Sequence, residues 1–292
     1  MVFMKSDIRR VGIIAKPKLT SIAAVVSELT QWFVARGMDV VLDAETAIVT
    51  AEGRTGVPRS EVPSQCDLIV VLGGDGTLLS VARAMNCETV PILAVNFGSL
   101  GFLTEITLEE TFHTLTRILD GKATTQKRLM VDVTVNRKGS EFARYRALND
   151  VVVTKGALAR IIDIDVRIDS QFVATYKADG LIVATPTGST AYTLSAGGPI
   201  VFPTMAAMLI TPIASHTLTF RTVVIPDTAL VELGLKATQE SVYLTVDGQV
   251  GLALNGDDVL QVGKSAQSIE LVESANKNFF DILRQKLKWG ER

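Results

Sequence analysis

The stretch Leu68-Ile69-Val70-Val71-Leu72-Gly73-Gly74-Asp75-Gly76-Thr77-Leu78-Leu79 constrains the fold more than any other part of the chain. An unbroken apolar run bounded by charge and glycine predicts a strand buried on both faces, which is the habit of parallel sheets covered by helices. It ends in Gly-Gly-Asp-Gly, and an apolar-periodic helix follows at once. Three glycines around one acid let the backbone come close to a ligand and reach positive φ where needed. Their N–H groups, with a helix N-terminus behind them, suit a phosphate. Asp75 falls at the strand-end rim, where open α/β sheets present their sites. A tight strand–helix turn with an Asp cap is the plainer reading of the same residues. The whole strand–turn–helix unit favours a nucleotide-phosphate site.

The flanking sequence repeats the pattern. Arg10 to Ala15 predicts a first strand, broken by Lys16-Pro17-Lys18. From Thr20 to Arg36, Ile22, Val25, Val26, Leu29, Trp32 and Phe33 recur at helical spacing, and Gly37 stops the helix. Asp39 to Asp43 predicts a short strand, and residues 50–64 a loop rich in Gly, Pro, Ser and charge. After the GGDG helix, expected to end near Met85, Val90 to Val95 predicts another strand. It leads into Asn96-Phe97-Gly98-Ser99-Leu100-Gly101-Phe102, so a second glycine-rich strand end lies on the same edge as the first. Thr107 to Asp120 predicts a helix, with Thr107 and Glu110 spaced as a capping box and Gly121 as its stop. Strands alternating with helices imply a parallel sheet with helices on its faces.

The texture changes near residues 122–128. Met130 to Val135, Ile162 to Asp169 and Ala229 to Leu235 alternate with period two. Further strand-like runs are Ala147 to Thr154, Gln171 to Tyr176, Gly180 to Ala184, Ser241 to Val246 and Ser268 to Val272. Short alternating strands separated by turn residues predict an antiparallel β domain. In Lys277 to Trp289, Phe279, Phe280, Ile282, Leu283 and Leu287 predict one apolar helical face packed back on the first domain. The expected division is an α/β domain over 1–126, a β-rich, β-sandwich-like domain over 127–274, and a C-terminal helix over 275–292. A chain of 292 residues that is 47% hydrophobic and 21% charged can build cores for two such domains.

A net charge of -2 argues against general nucleic-acid binding. No apolar run reaches the ~18–20 residues of a membrane helix, so no membrane partner is expected. Met1 to Arg10 lacks the apolar core of a signal peptide, and a cytoplasmic location is expected. Cys66 and Cys87 form neither a disulfide scaffold nor a zinc site and read as small buried hydrophobes. His113 lies mid-helix and reads as structural, whereas His216 is a candidate cleft residue. No set of protein side chains suggests a metal site.

Two stretches of the β domain do not look like ordinary sheet. In Thr185-Pro186-Thr187-Gly188-Ser189-Thr190-Ala191-Tyr192, hydroxyls and glycines crowd a strand end. So many donors and acceptors need partners, and a base or ribose would supply them. Tyr192 adds a flat face and a hydroxyl. A Ser/Thr-rich turn is the plainer alternative. Asn149-Asp150 pairs an amide able to read a base edge with a carboxylate able to accept ribose hydroxyls. A bulge or turn is the alternative there.

Taken together, these motifs resemble the NAD kinase family. The resemblance rests on Gly73 to Thr77, Asn96 to Thr104, Asn149-Asp150, Asp179-Gly180, Thr185 to Tyr192, Ser195-Ala196-Gly197-Gly198-Pro199 and His216-Thr217-Leu218. GGDG alone is shared with phosphofructokinases and lipid kinases. The resemblance implies a Rossmann-like N-terminal domain, a β-rich C-terminal domain, and transfer of phosphate from ATP to the 2′-hydroxyl of the adenosine ribose of NAD. It also implies Mg²⁺ or another divalent ion bound with ATP, and a homodimer or homotetramer. Asp75 would be the catalytic general base, with Gly76 beside it against NAD. Asn149 and Asp150 match an Asn-Glu pair that binds the adenosine part, with Asp here one methylene shorter. Arg160, Lys177, Asp179 and the backbone of Ala214 would contact the dinucleotide. Thr190, Ala191, Tyr192, Thr193, Leu194 and Ser195 would line its pocket, and Gln249 matches a late binding position. A lipid or sugar kinase sharing GGDG, and a non-catalytic dinucleotide sensor, are the alternatives.

Overall fold

The computed structural model describes all residues except 1, 5–6, 19–20, 51–52, 54, 86–89, 99, 158–159, 218, 237–240 and 291–292. Cys87, Ser99, Leu218 and the expected helix start at Thr20 therefore lie outside the described residues. The chain forms two compact units, one of residues 1–127 and 269–292, the other of residues 128–268.

The first unit contains β1 (Val2–Phe3), β2 (Arg10–Ala15), α1 (Ile22–Val34), β3 (Asp39–Leu42), α2 (Ala44–Val49), β4 (Leu68–Gly73), α3 (Asp75–Ala84), β5 (Pro91–Asn96), β6 (Ile106–Thr107) and α4 (Leu108–Leu119). Strands β3, β2, β4 and β5 pair in that order, all parallel. All six residues of β4 are buried, as its unbroken apolar run requires. Helix α1 buries Ile22, Val26, Leu29 and Phe33, a single 3.6-period stripe that joins Ile13, Leu72 and Leu93 in one core. At the start of α4 the Glu110 side chain accepts the Thr107 N–H (2.9 Å), closing the expected capping box. Gly121 follows at φ 66°, where a side chain would strain the helix stop.

The strands that follow are β7 (Thr124–Arg137), β8 (Ser140–Ala147), β9 (Asp150–Lys155), β10 (Ile162–Ile168), β11 (Gln171–Ala178) and β12 (Gly180–Ala184). Then come α5 (Tyr192–Ser195), β13 (Ala207–Ile213), β14 (Val223–Pro226), β15 (Val231–Leu235), β16 (Val242–Val246), β17 (Val250–Leu254), β18 (Val259–Val272) and α6 (Phe279–Leu287). In the second unit β14, β13, β12, β9, β16 and β17 form a six-stranded antiparallel sheet in that order. A second antiparallel set runs β11, β10, β15 and β18. Val151, Val153, Leu181 and Val183 of the first sheet share a core with Ile164, Val166, Leu233 and Leu260 of the second. That is a β-sandwich, built from the inward residues of period-two strands.

Several expectations change. Residues 44–49 are helical, and the loop stretch that follows tightens into 3₁₀ turns at Arg59–Glu61 and Pro63–Gln65. The run from Ala147 to Thr154 is two strands, because β8 ends at Ala147 and β9 starts at Asp150. In α6, Ile282 and Leu283 are buried but Phe280 is exposed, so the five apolar residues do not share one packed face. Lys277, just before α6, pairs with Glu110 (2.8 Å) and donates to the Glu105 carbonyl (3.2 Å). No helix among the described residues is long and apolar enough to cross a membrane.

Candidate functional site

In the first unit, register puts Gly73 opposite Asn96, so the two glycine-rich strand ends lie side by side. Gly74 is the N-cap of α3, and Gly76 is exposed in the first helical turn. Asp75 opens the helix, yet no side chain caps it, which corrects the plainer reading of an Asp cap. The Asp75 carboxylate turns instead to the neighbouring loop. Its Oδ1 accepts the N–H of Leu103 (3.2 Å), the N–H of Thr104 (3.1 Å) and the Thr104 hydroxyl (3.0 Å). Its Oδ2 accepts the Phe102 N–H (2.9 Å). A carboxylate held by that many donors cannot rotate without losing several of them. The loop is built to come this close, because a Cβ on Gly101 would lie 2.0 Å from Asp75 Oδ1. Asn96 fixes the loop's other side: its amide donates to Thr104 Oγ1 (2.9 Å) and its Oδ1 accepts the Gly98 N–H (2.7 Å).

The second unit holds a cavity of about 440 Å³. Asn149 and Asp150 line it with Val152 and Thr154 of β9, Ala191 and Tyr192 before and in α5, Thr245 of β16, and Asp247 and Gly248 at the β16–β17 turn. Aliphatic, aromatic and amide surfaces with a few convergent polar groups are what a nucleoside pocket offers. The backbone kink at 148–150 aims the pair. On one side Thr185 donates from its N–H to the Asn149 carbonyl (2.9 Å) and from its hydroxyl to the Leu148 carbonyl (2.6 Å). Gly188 packs so close that a Cβ there would lie 2.1 Å from the Asn149 oxygen. Asn149 Oδ1 is buried and has no hydrogen-bond partner among the described residues. Burial pushes the Asp150 carboxyl up to about 7, the Asp247 charge adds to the rise, and a hydrogen bond from the Tyr192 backbone opposes it.

A separate group gathers where β11, β12 and β13 meet. The Asp179 N–H donates to the Ile213 carbonyl (3.0 Å), and the His216 N–H donates to the Lys177 carbonyl (3.0 Å). Ala214 takes up a left-handed φ of 44° between them. Lys177 faces Asp163 (3.7 Å), and Asp179 faces Lys155 (3.5 Å). Lys177, Asp179 and Ala214 are thus brought together, but not at the cavity wall.

The remaining expected residues scatter. Thr190 folds its hydroxyl back to the Thr187 carbonyl (3.2 Å). Thr193 is fully buried against Gly198, and its Oγ1 has no partner among the described residues. Leu194 is half-buried and Ser195 exposed in α5; Arg160 is exposed before β10; Gln249 is exposed in the β16–β17 turn. None of these lines the cavity. His216 and His113 are exposed. Cys66 is buried, and desolvation pushes its thiol up to about 12, as expected of an inert buried thiol.

Sequence reasoning missed Asp247, Thr154 and Thr245 as cavity residues. Asp247-Gly248 is a turn signal between strand-like runs, but nothing local says that its carboxylate reaches residues 148–150.

The family model for the ATP-NAD kinase N-terminal domain matches residues 11–123, and that for the ATP-NAD kinase C-terminal domain matches residues 148–274. The chain is 49% identical to an NAD kinase of Solibacter usitatus, over 98% of this chain and 99% of the relative. It is 46% identical to an NAD kinase of Geotalea daltonii, over 97% and 100%. Yeast NADH kinase complexed with NADH superposes with a TM-score of 0.87 at 26% identity, over 97% of this chain and 89% of that one. An Archaeoglobus fulgidus NAD kinase in complex with ATP shares the fold, with a TM-score of 0.75 at 24% identity over 96% and 98%.

Proposed function

The chain belongs to the NAD kinase family and phosphorylates NAD with ATP, and from that premise we propose which of its residues carry the reaction. The observation that carries the proposal is the cavity in which Asn149, whose Oδ1 has no hydrogen-bond partner among the described residues, meets Asp150 and Tyr192. Asn149 offers an acceptor to an amine of the base or a ribose hydroxyl. Asp150 accepts ribose hydroxyls, and the Tyr192 ring covers an aromatic face. Lys177, Asp179, Arg160 and the Ala214 backbone are assigned to other parts of the dinucleotide. Thr190, Thr193, Leu194, Ser195 and Gln249 stand outside the cavity lining and are assigned to its surroundings rather than to direct contact.

Asp75 is proposed as the catalytic residue. The reaction forms a bond between the 2′-oxygen of the adenosine ribose and the γ-phosphorus of ATP, breaks the bond from that phosphorus to ADP, and releases one proton. Phosphoryl transfer asks for positioning and charge neutralisation more than covalent help. The four hydrogen bonds to Asp75 fix its carboxylate, and Oδ2, which accepts only one of them, keeps capacity for the substrate hydroxyl. A carboxylate is a weak base beside an alcohol, so Asp75 orients the hydroxyl first and takes its proton late. The N–H groups at Gly74 to Gly76 cradle phosphate at the start of α3. Among the described residues no group of three His, Cys, Asp or Glu side chains could hold a metal ion. We assign a divalent ion, Mg²⁺ by preference, to the ATP phosphates, where it would supply charge neutralisation. We further assign the chain to a cytoplasmic homo-oligomer, a dimer or tetramer. Lipid or sugar kinase activity and a purely sensory role are not favoured, since the curated relatives match end to end.

Incubation with ATP, Mg²⁺ and NAD should yield NADP. Asp75→Asn should keep NAD affinity and lose about 10³-fold in turnover, as expected when a positioned acid–base group is removed. Near-normal turnover of that variant would overturn the role of Asp75.

A further inference from the structure

A second acid stands behind the Asn149-Asp150 pair. Asp247 lies in the β16–β17 turn at a left-handed φ of 50° and is 6% exposed. Its Oδ1 accepts the N–H of Asn149 (2.8 Å) and of Asp150 (3.2 Å), and its Oδ2 accepts the N–H of Leu148 (3.2 Å). Its own N–H donates to the Asp150 carbonyl (3.0 Å). Three consecutive amides aimed at one carboxylate define the 148–150 kink from the side opposite Thr185 and Gly188. The left-handed region is unfavourable for a non-glycine residue, and these bonds hold Asp247 there.

We propose that Asp247 is a positioning residue for dinucleotide recognition: it holds Asn149 and Asp150 at the cavity wall and couples NAD binding to the ionisation of Asp150. The inference rests on the assignment of this cavity to NAD. A ribose diol offers two O–H donors. An ionised carboxylate accepts both, whereas a protonated one gives up an acceptor and brings a donor of its own. The groups that face Asp150 are Asp247, which opposes its charge, and the Tyr192 N–H, which favours it. Among the described residues that line the cavity there is no Lys, Arg or His. Burial, and then the Asp247 charge, raise the Asp150 carboxyl to about 7. The sign follows. Below that pH Asp150 holds a proton that the diol must displace; above it the acceptor is ready. NAD binding tightens as pH rises through 7 and releases a proton at lower pH.

The test is titration calorimetry of NAD from pH 6 to 8.5 in two buffers of different ionisation enthalpy, with KM and kcat followed alongside. Wild type should bind NAD about tenfold more weakly at pH 6 than at pH 8, since one pH unit below a required ionisation costs about tenfold. It should release close to one proton per NAD at pH 6, with kcat changing less than KM. Asp247→Asn keeps an acceptor at Oδ1 and removes the charge, so the midpoint should move below 7, though not to the ordinary carboxyl range, because burial remains. Asp150→Asn should flatten the profile and abolish proton release. A purely structural role for Asp247 would weaken binding equally at every pH, and an unmoved midpoint in Asp247→Asn overturns the coupling. Should Asp247→Asn not fold, the same pH dependence in wild type and Asp150→Asn overturns it instead. A wild type that makes NADP with a flat affinity profile refutes this inference alone; one that makes no NADP refutes the assignment beneath it.

Discussion

The Asp75 carboxylate in the first unit takes four hydrogen bonds from the Phe102–Thr104 loop, whereas the buried Asp150 carboxyl in the second unit is met by one backbone N–H and faces another acid. The first arrangement spends its donors on geometry: the group is fixed, and its surroundings stabilise it without substrate. The second leaves a polar group under-served in a buried place, which costs stability until a ligand supplies the missing donors. A third acid shows that the second unit can satisfy a buried carboxylate when only structure is at stake. Asp258, fully buried, receives both Arg137 Nε (2.8 Å) and Nη2 (2.7 Å) and the Asn255 N–H (2.8 Å). Burial works against its charge, but those donors outweigh it and hold its carboxyl below the usual range. Among the described residues of the same unit Asp150 has no such partners, and we propose that a ligand completes it.

The comparison is tested hardest by disturbing geometry in the first unit without touching Asp75. Gly101→Ala would put a methyl 2.0 Å from Asp75 Oδ1 and 2.4 Å from Thr104 Oγ1. The loop or the carboxylate must shift, and a displacement near 1 Å at a reacting group costs about 10²-fold in rate. We expect kcat to fall by about that factor, NAD affinity to stay close to wild type, and the melting curve to stay cooperative. Unchanged kcat would mean that the four hydrogen bonds are packing and not positioning.

A smaller effect, on stability, separates Asp150 from Asp258. The folded-state value of Asp150 lies near 7, raised from 3.8 by burial first and by Asp247 next. The folded protein thus binds more protons than the unfolded chain between about pH 4 and 7, and stability falls as pH rises through that window. The rise of roughly 3 units from 3.8 to about 7 corresponds to an upper bound on the order of 4 kcal/mol. Asp258 has the opposite sign: its contribution is present above the unfolded carboxyl range and is lost on acidification. Asp150→Asn should therefore melt higher than wild type at pH 8, with the gap closing toward pH 4. Melting curves that run parallel across that range would remove the distinction between the two acids.

How much of this was legible in the chain depended on whether the cause was local. The GGDG unit, the helix opened by Thr107 and Glu110, and the alternation of Ile162 to Ile168 could be read because neighbours in sequence decide them. Helix α2 could not: its six residues are too few to show a period, and its N-cap is Asp43, whose carboxylate accepts the Thr46 N–H (3.0 Å) and pairs with Arg59 (2.7 Å) sixteen residues on. Strand β8 escaped because its exposed, charged residues carry little alternation. The break inside Ala147 to Thr154 is imposed by Asp247 and Thr185, both far along the chain. The same distance hides the site. Asp75, Asn149, Asp150 and Tyr192 were named from residue type and resemblance, but that Asp75 is gripped by a loop, that Thr193 turns into the interior, and that a second acid backs Asp150 are facts of packing.

The mildest change in the second unit completes the contrast. Tyr192 reaches the cavity in two ways: its N–H meets the Asp150 carboxyl, and its side chain, 43% exposed, borders the opening. Tyr192→Ala keeps the first and removes the second. Stacking of a base on an aromatic ring is worth about 1–3 kcal/mol, so KM for NAD should rise about tenfold. With the chemistry assigned to Asp75 in our proposal, kcat should hold within about twofold, and because the backbone bond survives, the pH midpoint for NAD binding should not move. Tyr192→Phe, which keeps the ring, should restore most of the affinity. A loss confined to kcat would break the division of labour between the two acids, since it would tie this wall of the cavity to the transfer step and not to holding the dinucleotide.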